Sequence, residues 1–322
     1  MKKELTCIEI CSGAGGQALG IERVGFSCLA HVENDSHACA TLRANRPKWN
    51  VVEDDVRNFS AKEYAGIDLF AGGVPCPPFS KAGKQLGSDD ERDLFPEALR
   101  LVSECRPKAI MLENVRGILD AVFFDYREKL KNQLSDLGYS ASWHLLNASD
   151  FGVPQLRPRV VIVAIEKELV SRFYPPIPLT DGSPPKTVGE TLADLMAENG
   201  WEGALEWASR ADGIAPTLVG GSKKHGGADL GPTRARKAWA TLGVEGKSLA
   251  DSAPARGFCG TPRLTVRMAA RIQGFPDDWK FEGGKTATYR QVGNAFPPPV
   301  AEAVASRIKA AISEDESEKA IS

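Results

Sequence analysis

The sequence contains no Cys-x-x-Cys pair, although it has seven cysteines, at positions 7, 11, 28, 39, 76, 105 and 259. An odd number of cysteines without zinc-knuckle spacing argues against a disulfide framework and against a metal site. We therefore expect free thiols in a reducing compartment and no bound metal.

Long apolar segments are also missing. Residues 1–4 lead straight into a strand-like stretch without the apolar core of a signal peptide, and no later segment is long and apolar enough to cross a bilayer. The expectation is a soluble, cytoplasmic protein, with no membrane as partner.

An excess of positive charge is absent as well. Lysine and arginine number 40 against 42 aspartates and glutamates, a formal net charge of -2, so any nucleic-acid-binding charge must be local. What the 322 residues do have is an ordinary globular composition, 42% hydrophobic. That length favours a main domain and a smaller one.

In the first half, short apolar runs alternate with amphipathic stretches, which is typical of an α/β domain with a mostly parallel sheet. The pattern predicts strands at 5–10, 27–32, 51–52, 67–71, 109–112 and 160–165, and helices at 17–24, 36–43, 124–137, 265–272 and 299–312. From about residue 173 prolines and glycines become frequent, which predicts a linker and a less regular unit. Residues 313–322 carry four acidic side chains and are expected to be a disordered tail.

The first predicted strand ends in a glycine-rich turn, Ser12-Gly13-Ala14-Gly15-Gly16, followed by a helix. Such a turn suits a nucleotide-like cofactor, because glycines allow close backbone approach and a helix N-terminus favours negative charge. Glu33, at the end of the second strand, is placed to accept bonds from ribose hydroxyls, and Asp55, after the third strand, from an adenine amino group. A tight turn beside two solvated carboxylates is the alternative, and these features alone leave both open.

Residues 72–80, GGVPCPPFS, follow an apolar strand and so lie at the carboxyl edge of the sheet, where ligands bind. Prolines hold Cys76 in a stiff loop, which suits a nucleophile with a lowered pKa; the alternative is a buried structural cysteine. Glu113 follows another strand and is a candidate acid or hydrogen-bonding group, or else a capping or salt-bridged residue. Arg157 and Arg159 lie on one face of an extended segment, or are solvated surface charges.

Six segments, in order, resemble the motifs of DNA cytosine-5 methyltransferases. They are CSGAGG at 11–16, PCPPFS at 75–80, ENV at 113–115, QLRPR at 155–159, RLT at 263–265 with RIQGFP at 271–276, and GNAFPP at 293–298. The resemblance covers the chain except residues from about 175 to 260 and the acidic tail. Two positions depart from the family pattern. Phenylalanine is frequent where Cys11 stands, which affects an aromatic contact to adenine, and glutamine is common where Pro77 stands.

The resemblance implies a Rossmann-like S-adenosylmethionine-dependent domain with a smaller, irregular target-recognition domain. The first would comprise residues 1–175 plus 285–322, closed by the C-terminal helix, and the second residues 176–284. Cys76 would add to carbon 6 of a flipped-out cytosine, Glu113 would hold the N3 edge, Arg159 would donate to O2, and Arg157 would support that loop. The cofactor contacts implied are Cys11, Ser12, Gly13, Ala14, Gly15, Gly16, Gln17, Glu33, Asn34, Asp55, Val56, Pro75, Leu94, Asn294, Ala295 and Phe296.

Between residues 220 and 240, five lysines and arginines stand against one acid, Asp229. This local positive charge, with the loop after Cys76, is expected to contact DNA phosphates and base edges; the alternative is a solvated loop. The predicted DNA contacts are Ser80, Lys81, Lys84, Lys223, Lys224, Arg234, Arg236 and Lys237.

The resulting prediction is a monomeric DNA cytosine-5 methyltransferase acting on double-stranded DNA, the modification enzyme of a restriction-modification system whose endonuclease acts separately. Three other interpretations stay open: a tRNA cytosine-5 methyltransferase of the same fold, a catalytically silent DNA-binding relative, and an unrelated thiol enzyme with a histidine base. For the last, the available histidines are His31, His37, His144 and His225, and none has a motif context beside Cys76.

Overall fold

The computed structural model describes residues 4–75, 93–179, 184–221 and 227–313. The acidic tail from residue 314 onwards lies outside the described residues. So do the predicted nucleophile and five predicted DNA contacts, namely Cys76, Ser80, Lys81, Lys84, Lys223 and Lys224.

The strands form one large sheet and one short pair. Their bounds are β1 (Leu5–Ile10), β2 (Phe26–Glu33), β3 (Val51–Glu53), β4 (Leu69–Gly73), β5 (Ala109–Val115), β6 (Tyr139–Asn147), β7 (Gln155–Leu156), β8 (Pro158–Glu166) and β9 (Ala215–Pro216). The large sheet has the order β3-β2-β1-β4-β5-β8-β6, and β7 pairs with β9. Strands β1 to β5 run parallel, whereas β8 is antiparallel to both β5 and β6.

Ten α-helices connect and cover these strands within the described residues. They are α1 (Gly16–Val24), α2 (Ser36–Asn45), α3 (Phe95–Cys105), α4 (Phe124–Asp136), α5 (Val188–Ala197), α6 (Ala204–Arg210), α7 (Thr233–Thr241), α8 (Val266–Ile272), α9 (Lys285–Asn294) and α10 (Pro298–Ile312). The predicted α/β class is confirmed, and each predicted strand and helix has a counterpart. None of the helices described is both long and apolar enough to cross a membrane.

Both faces of the large sheet are buried. Along β8, Val160 and Ile162 face a core that includes helices α3 and α4, while Val161 and Val163 face a second core that includes α1 and α10. Successive side chains of a strand point to opposite faces, so a strand covered on both sides reads as a continuous apolar run. This is why residues 160–165 were recognisable as a strand.

A third core lies within the irregular region. Residues 188–292 supply almost all of it, including Trp239 and Tyr289, which are fully buried. Leu19 of α1 packs into the same cluster. The irregular region therefore has an apolar core of its own, which contacts the helix that follows the glycine-rich turn.

The C-terminal helix α10 packs directly against α1, and Gly20 sets the distance between them. A Cβ atom at Gly20 would lie 2.6 Å from the Cβ of Ala301, from the Glu302 nitrogen and from the Pro298 oxygen. Two of these neighbours are backbone atoms, which cannot rotate away. Glycine at this position thus brings the end of the chain back onto its first helix.

The expectation that all cysteines are free is wrong for one pair. Cys7 and Cys28 are register partners on β1 and β2 with Cα atoms 4.4 Å apart, and the structure joins them in a disulfide. Side chains paired in this way on neighbouring strands are close enough to bond, whatever their spacing in sequence. The free cysteines described are Cys11, Cys39, Cys105 and Cys259.

We expect Gly20→Ala to lower the free energy of unfolding by about 1–3 kcal/mol, because the added methyl group must push α1 and α10 apart. Urea unfolding followed by circular dichroism measures this. Gly284→Ala is the matched control, since a Cβ there meets nothing within 4 Å. Equal stability of the two variants would contradict the close-packing argument.

Candidate active site

The functional side chains gather at one edge of the sheet because of strand direction. Strands β1, β2, β4 and β5 are parallel, so their carboxyl ends meet at that edge. Strand β8 is antiparallel to β5, and Val115 pairs with Arg159, so the beginning of β8 reaches the same edge. One side of the sheet thereby carries the turn after β1 together with Glu33, Pro75, Glu113 and Arg159.

The turn after β1 is shaped by residues with left-handed backbone angles, Cys11 at φ 51°, Gly13 at φ 53° and Gly15 at φ 85°. A Cβ at Gly16 would lie 2.2 Å from the carbonyl oxygen of Phe296, so this position has room only for glycine. A Cβ at Gly13, in contrast, would meet nothing within 4 Å. The turn is packed tightly behind and open in front, as a cofactor cradle requires.

Glu33 ties the end of β2 to this turn. Its carboxylate accepts hydrogen bonds from the backbone N–H groups of Gly13 at 2.8 Å, Asn34 at 2.9 Å and Asp35 at 2.8 Å. Burial raises the pKa of Glu33, and the backbone donors counteract that shift. Two of these bonds go to Oε1 and one to Oε2, which leaves Oε2 able to accept a further bond, as a ribose hydroxyl would require.

The thiol of Cys11 lies near enough to the two predicted cofactor carboxylates, Glu33 and Asp55, to be affected by their charges. Burial raises the pKa of its thiol, and the negative charges of Glu33 and Asp55 raise it further. Cys11 also packs against the core that holds Val56 and Leu94. Cys11, Glu33 and Asp55 are thus near one another, and a neutral thiol occupies the position that is often aromatic in the family that the sequence resembles.

The remaining predicted cofactor residues divide into two groups. Ala295 and Phe296 lie against Gly16 and complete the back of the turn. The side chains of Gln17 and Asn294 point to main-chain oxygens, those of Met111 at 3.3 Å and Gly221 at 3.0 Å. These two side chains therefore hold neighbouring segments in place.

The buried Glu113 forms an ion pair with the half-buried Arg159, whose Nε lies 2.8 Å from Glu113 Oε1. The Glu113 carboxylate faces the end of β4, since a Cβ at Gly73 would lie 3.7 Å from its Oε2. Burial raises the pKa of Glu113, and the charges of Arg159 and Arg157 oppose this. The pair thus stands beside the strand that leads to Cys76.

Arg157 has a different environment from Arg159. It is fully buried, and its guanidinium donates to the carbonyl oxygens of Leu218 at 2.8 Å, Gly293 at 2.9 Å and Ala295 at 3.0 Å. A guanidinium carries five donors in a fixed plane, which suits several carbonyl acceptors at once. These contacts hold the chain that precedes Arg159.

Three residues with evident roles had none assigned from the sequence. Asn114 Nδ2 donates to the carbonyl of Val74 at 3.3 Å and so holds the chain two residues before Cys76. Trp279 Nε1 donates to the carbonyl of Ala14 in the turn at 3.1 Å. Gln273 accepts from Gln155 Nε2 at 2.6 Å. Asn114 and Gln273 lie within the motifs ENV and RIQGFP, and this position in a motif is the sequence feature that could have indicated their roles. Trp279 lies three residues beyond the second motif.

The predicted DNA contacts within the described residues lie together on α7. Arg234 and Lys237 are exposed and Arg236 is half-buried. No carboxylate described in the structure forms an ion pair with any of the three. Their charges are therefore available to an anionic partner.

Comparison with known proteins agrees with this geometry. The sequence model of the family C-5 cytosine-specific DNA methylase matches residues 5–310. Type II methyltransferase M.NaeI of Lentzea aerocolonigenes is 57% identical over 316 residues, 96% of this chain and 76% of that protein. Type II methyltransferase M.NgoMIV of Neisseria gonorrhoeae is 56% identical over 315 residues, 97% of this chain and 99% of that protein.

Solved structures show the same fold. A protein encoded within an Escherichia coli prophage and described as a DNA modification methyltransferase has a TM-score of 0.68 and 26% identity, over 97% of this chain and all of its own. A DNMT2 variant from Spodoptera frugiperda has a TM-score of 0.65 at 17% identity, over 95% of this chain and 99% of its own, a likeness of fold alone. With the family match over nearly its whole length and two relatives at more than half identity, this chain belongs to the C-5 cytosine-specific DNA methylase family.

Proposed function

We propose that this chain methylates carbon 5 of a cytosine that is flipped out of a short, specific duplex DNA site, through a covalent adduct with Cys76. The observation that carries the proposal is the Glu113–Arg159 ion pair, with its buried carboxylate, beside the end of β4, the strand that leads to Cys76. A base can reach these groups only after leaving the duplex, because its carbon 6 and its N3 edge are covered by stacking and pairing.

Cys76 attacks carbon 6 as the thiolate. A new S–C6 bond forms while the C5–C6 double bond opens, and its electron pair makes carbon 5 nucleophilic. Asn114 supports this step by holding the Val74 carbonyl, which restricts the backbone just before the nucleophile. After methylation, carbon 5 gives its proton to solvent, and the electron pair of the C–H bond reforms the C5–C6 double bond. The S–C6 bond breaks, and the thiolate leaves with the electron pair of that bond.

Glu113 and Arg159 stabilise the ring while it carries the adduct. Burial raises the pKa of Glu113, which favours the protonated carboxyl, the form that can donate to N3. Arg159 lies beside it and donates to O2. Arg157 acts indirectly, since its donors are already bound to main-chain carbonyls.

The turn after β1 fits S-adenosylmethionine as the methyl donor, since it offers open space at Gly13, a remaining acceptor site on Glu33, and a neutral thiol at Cys11 beside Asp55. When bound, this cofactor supplies the methyl group at a positively charged sulfur. Glu33 would hold its ribose, Asp55 its adenine, and the backbone from Ser12 to Gly16 its remaining edge.

The division into two domains follows the cores. Residues 1–175 plus 285–322 form the catalytic domain, closed by α10 on α1, and residues 176–284 form the target-recognition domain. The third core supports this division, since its buried residues lie between 188 and 279 apart from Leu19, Tyr289 and Val292, which the catalytic domain contributes. The net charge of the chain is close to zero, but helix α7 carries a local positive charge. Its residues Arg234, Arg236 and Lys237 contact the DNA.

The biological role we propose is that of the modification enzyme of a restriction-modification system, acting as a monomer in the bacterial cytoplasm beside a separate endonuclease. Two relatives at more than half identity carry the name Type II methyltransferase, and the match covers 99% of one of them and 76% of the other, which supports this role. The tRNA-methylating and silent DNA-binding alternatives are not favoured by these relatives. A monomer suffices, because one enzyme can methylate both strands of a symmetric site in two visits.

Plasmid DNA from cells expressing this protein should carry 5-methylcytosine at one short motif, and the Cys76→Ala variant should abolish it, because the adduct cannot form. Sequencing that resolves 5-methylcytosine measures both. Cys259→Ala, which removes an exposed cysteine with no assigned role, should methylate like the wild type. Methylation by Cys76→Ala at the wild-type level would refute the nucleophile.

Glu113→Gln should lower kcat by about 100-fold or more, because the donor to N3 loses its proton-transfer capacity. It should also change how stability depends on pH. The folded-state pKa of Glu113 is raised, so its stabilising contribution is complete below about 4.5, its ordinary value, and is lost as pH rises through the folded value. The free energy of unfolding of Glu113→Gln minus that of the wild type should therefore increase with pH.

Urea unfolding of both proteins at several pH values measures that difference. Glu97→Gln, which alters a carboxylate of a half-exposed i,i+3 pair on α3, is the matched control. A difference that falls with rising pH would show that Glu113 is held in its ionised form, which contradicts the proposed role.

Lys237→Ala should weaken binding to specific and unrelated duplexes alike, and reduce the slope of log K against log salt by about 1, because one phosphate contact is lost. Fluorescence anisotropy over a series of salt concentrations measures both. Lys129→Ala, an exposed lysine on α4, should leave the slope unchanged. An unaltered slope for Lys237→Ala would exclude this lysine from the phosphate contacts.

A further inference from the structure

Residues 217–221, here called the linking segment, lead from β9 towards the basic helix α7 and are held at several points by the chain before β8. Thr217 Oγ1 donates to the Leu156 carbonyl at 2.5 Å. The Leu218 N–H donates to Gln155 Oε1 at 2.9 Å, and Arg157 donates to the Leu218 carbonyl at 2.8 Å. The linking segment is thus bound to the chain that continues directly to Arg159.

The other side of the linking segment lies against the end of α9 at the closest backbone approach that glycine permits. A Cβ at Gly220 would lie 2.5 Å from the Arg290 oxygen and 2.6 Å from Asn294 Oδ1. A Cβ at Gly293 would lie 2.4 Å from the Gly220 nitrogen. A larger residue at either position has to displace backbone, because ordinary carbon contacts lie at about 3.5–4.0 Å.

The linking segment and the end of α9 also adjoin two other parts of the molecule, the basic helix α7 and the glycine-rich turn after β1. A Cβ at Gly231, two residues before α7, would lie 3.6 Å from the Cβ of Val219 in the linking segment. On the other side, Arg157 binds the carbonyls of Gly293 and Ala295 as well as that of Leu218. We therefore expect a shift of the linking segment to move the start of α7 relative to β8, the strand that carries Arg159.

We propose that Gly220 and Gly293 are positioning residues for sequence discrimination, a role that rests on the proposed function. Their contact sets the distance between the basic helix α7 and the Glu113–Arg159 pair that holds the cytosine. Base-edge contacts require placement within about 0.5 Å, whereas phosphate contacts tolerate more. A displaced linking segment should therefore weaken recognition of the correct site more than it weakens binding to a site with one wrong base pair.

The test compares kcat/KM for two duplexes, one with the motif found methylated on plasmid DNA and one with a single base-pair change in that motif. We expect Gly220→Ala to reduce the ratio of the two values about tenfold, through a higher KM on the correct duplex, with kcat at saturating DNA changed by less than about threefold. Gly284→Ala, at the residue just before α9, the helix that contains Gly293, has no neighbours at its Cβ and should keep the wild-type ratio.

A merely structural role would lower kcat/KM on both duplexes equally and leave the ratio unchanged, which would overturn the proposal. Thr217→Val provides a second variant, because it removes only the hydroxyl bond to Leu156 and keeps the side-chain shape. It should reduce the ratio in the same direction by about threefold. An unchanged ratio in Thr217→Val would overturn the proposal even if Gly220→Ala does not fold.

The proposed function and the positioning role of the two glycines can be tested separately. If the wild-type protein transfers no methyl group to any plasmid DNA, the proposed function is wrong, and the positioning role falls with it. If the wild type is active and selective while both variants keep its ratio, the proposed function stands and the positioning role is wrong.

Discussion

One buried guanidinium holds together the parts of the molecule on which its activity depends. Arg157 is fully buried, and a charge in that position is tolerated only when hydrogen-bond partners surround it. Its partners are three main-chain carbonyls, from Leu218, Gly293 and Ala295. The irregular region, the end of α9 and the beginning of β8 therefore keep one relative position. Arg159, two residues further along the chain, inherits its placement from this arrangement.

At the edge of the sheet, strand direction determines which candidate functional groups lie on the same side. Parallel strands deliver the glycine-rich turn, Glu33 and Glu113 to one side, and the antiparallel β8 returns Arg159 to the same side. Burial then acts on Glu113 in a way that exposure could not. It raises the pKa of the carboxyl, while the charges of the neighbouring arginines limit the shift.

Close backbone approach explains why residues so distant in sequence form one site. Gly16 admits the Phe296 carbonyl, and Gly20 admits the backbone of α10, so the end of the chain lies behind the turn that follows β1. Trp279 adds a bond from the irregular region to the Ala14 carbonyl. The cofactor turn is consequently supported by both the C-terminal helix and the irregular region, although its own residues are contiguous.

Local pattern by itself determined the strands and helices of the first half, the fold class and the positions of Glu33, Glu113 and Arg159 at strand ends, because period and polarity are properties of neighbouring residues. It did not reveal α3, β6 or most helices of the irregular region, where apolar spacing is weak. Nor could it reveal the Cys7–Cys28 pair, or the partners of Arg157, which lie 61 to 138 residues away in sequence. Such contacts depend on which segments the folded chain brings together. The sequence therefore specified which chemical groups are present at the strand ends. Only the tertiary structure decided which other residues hold those groups in place.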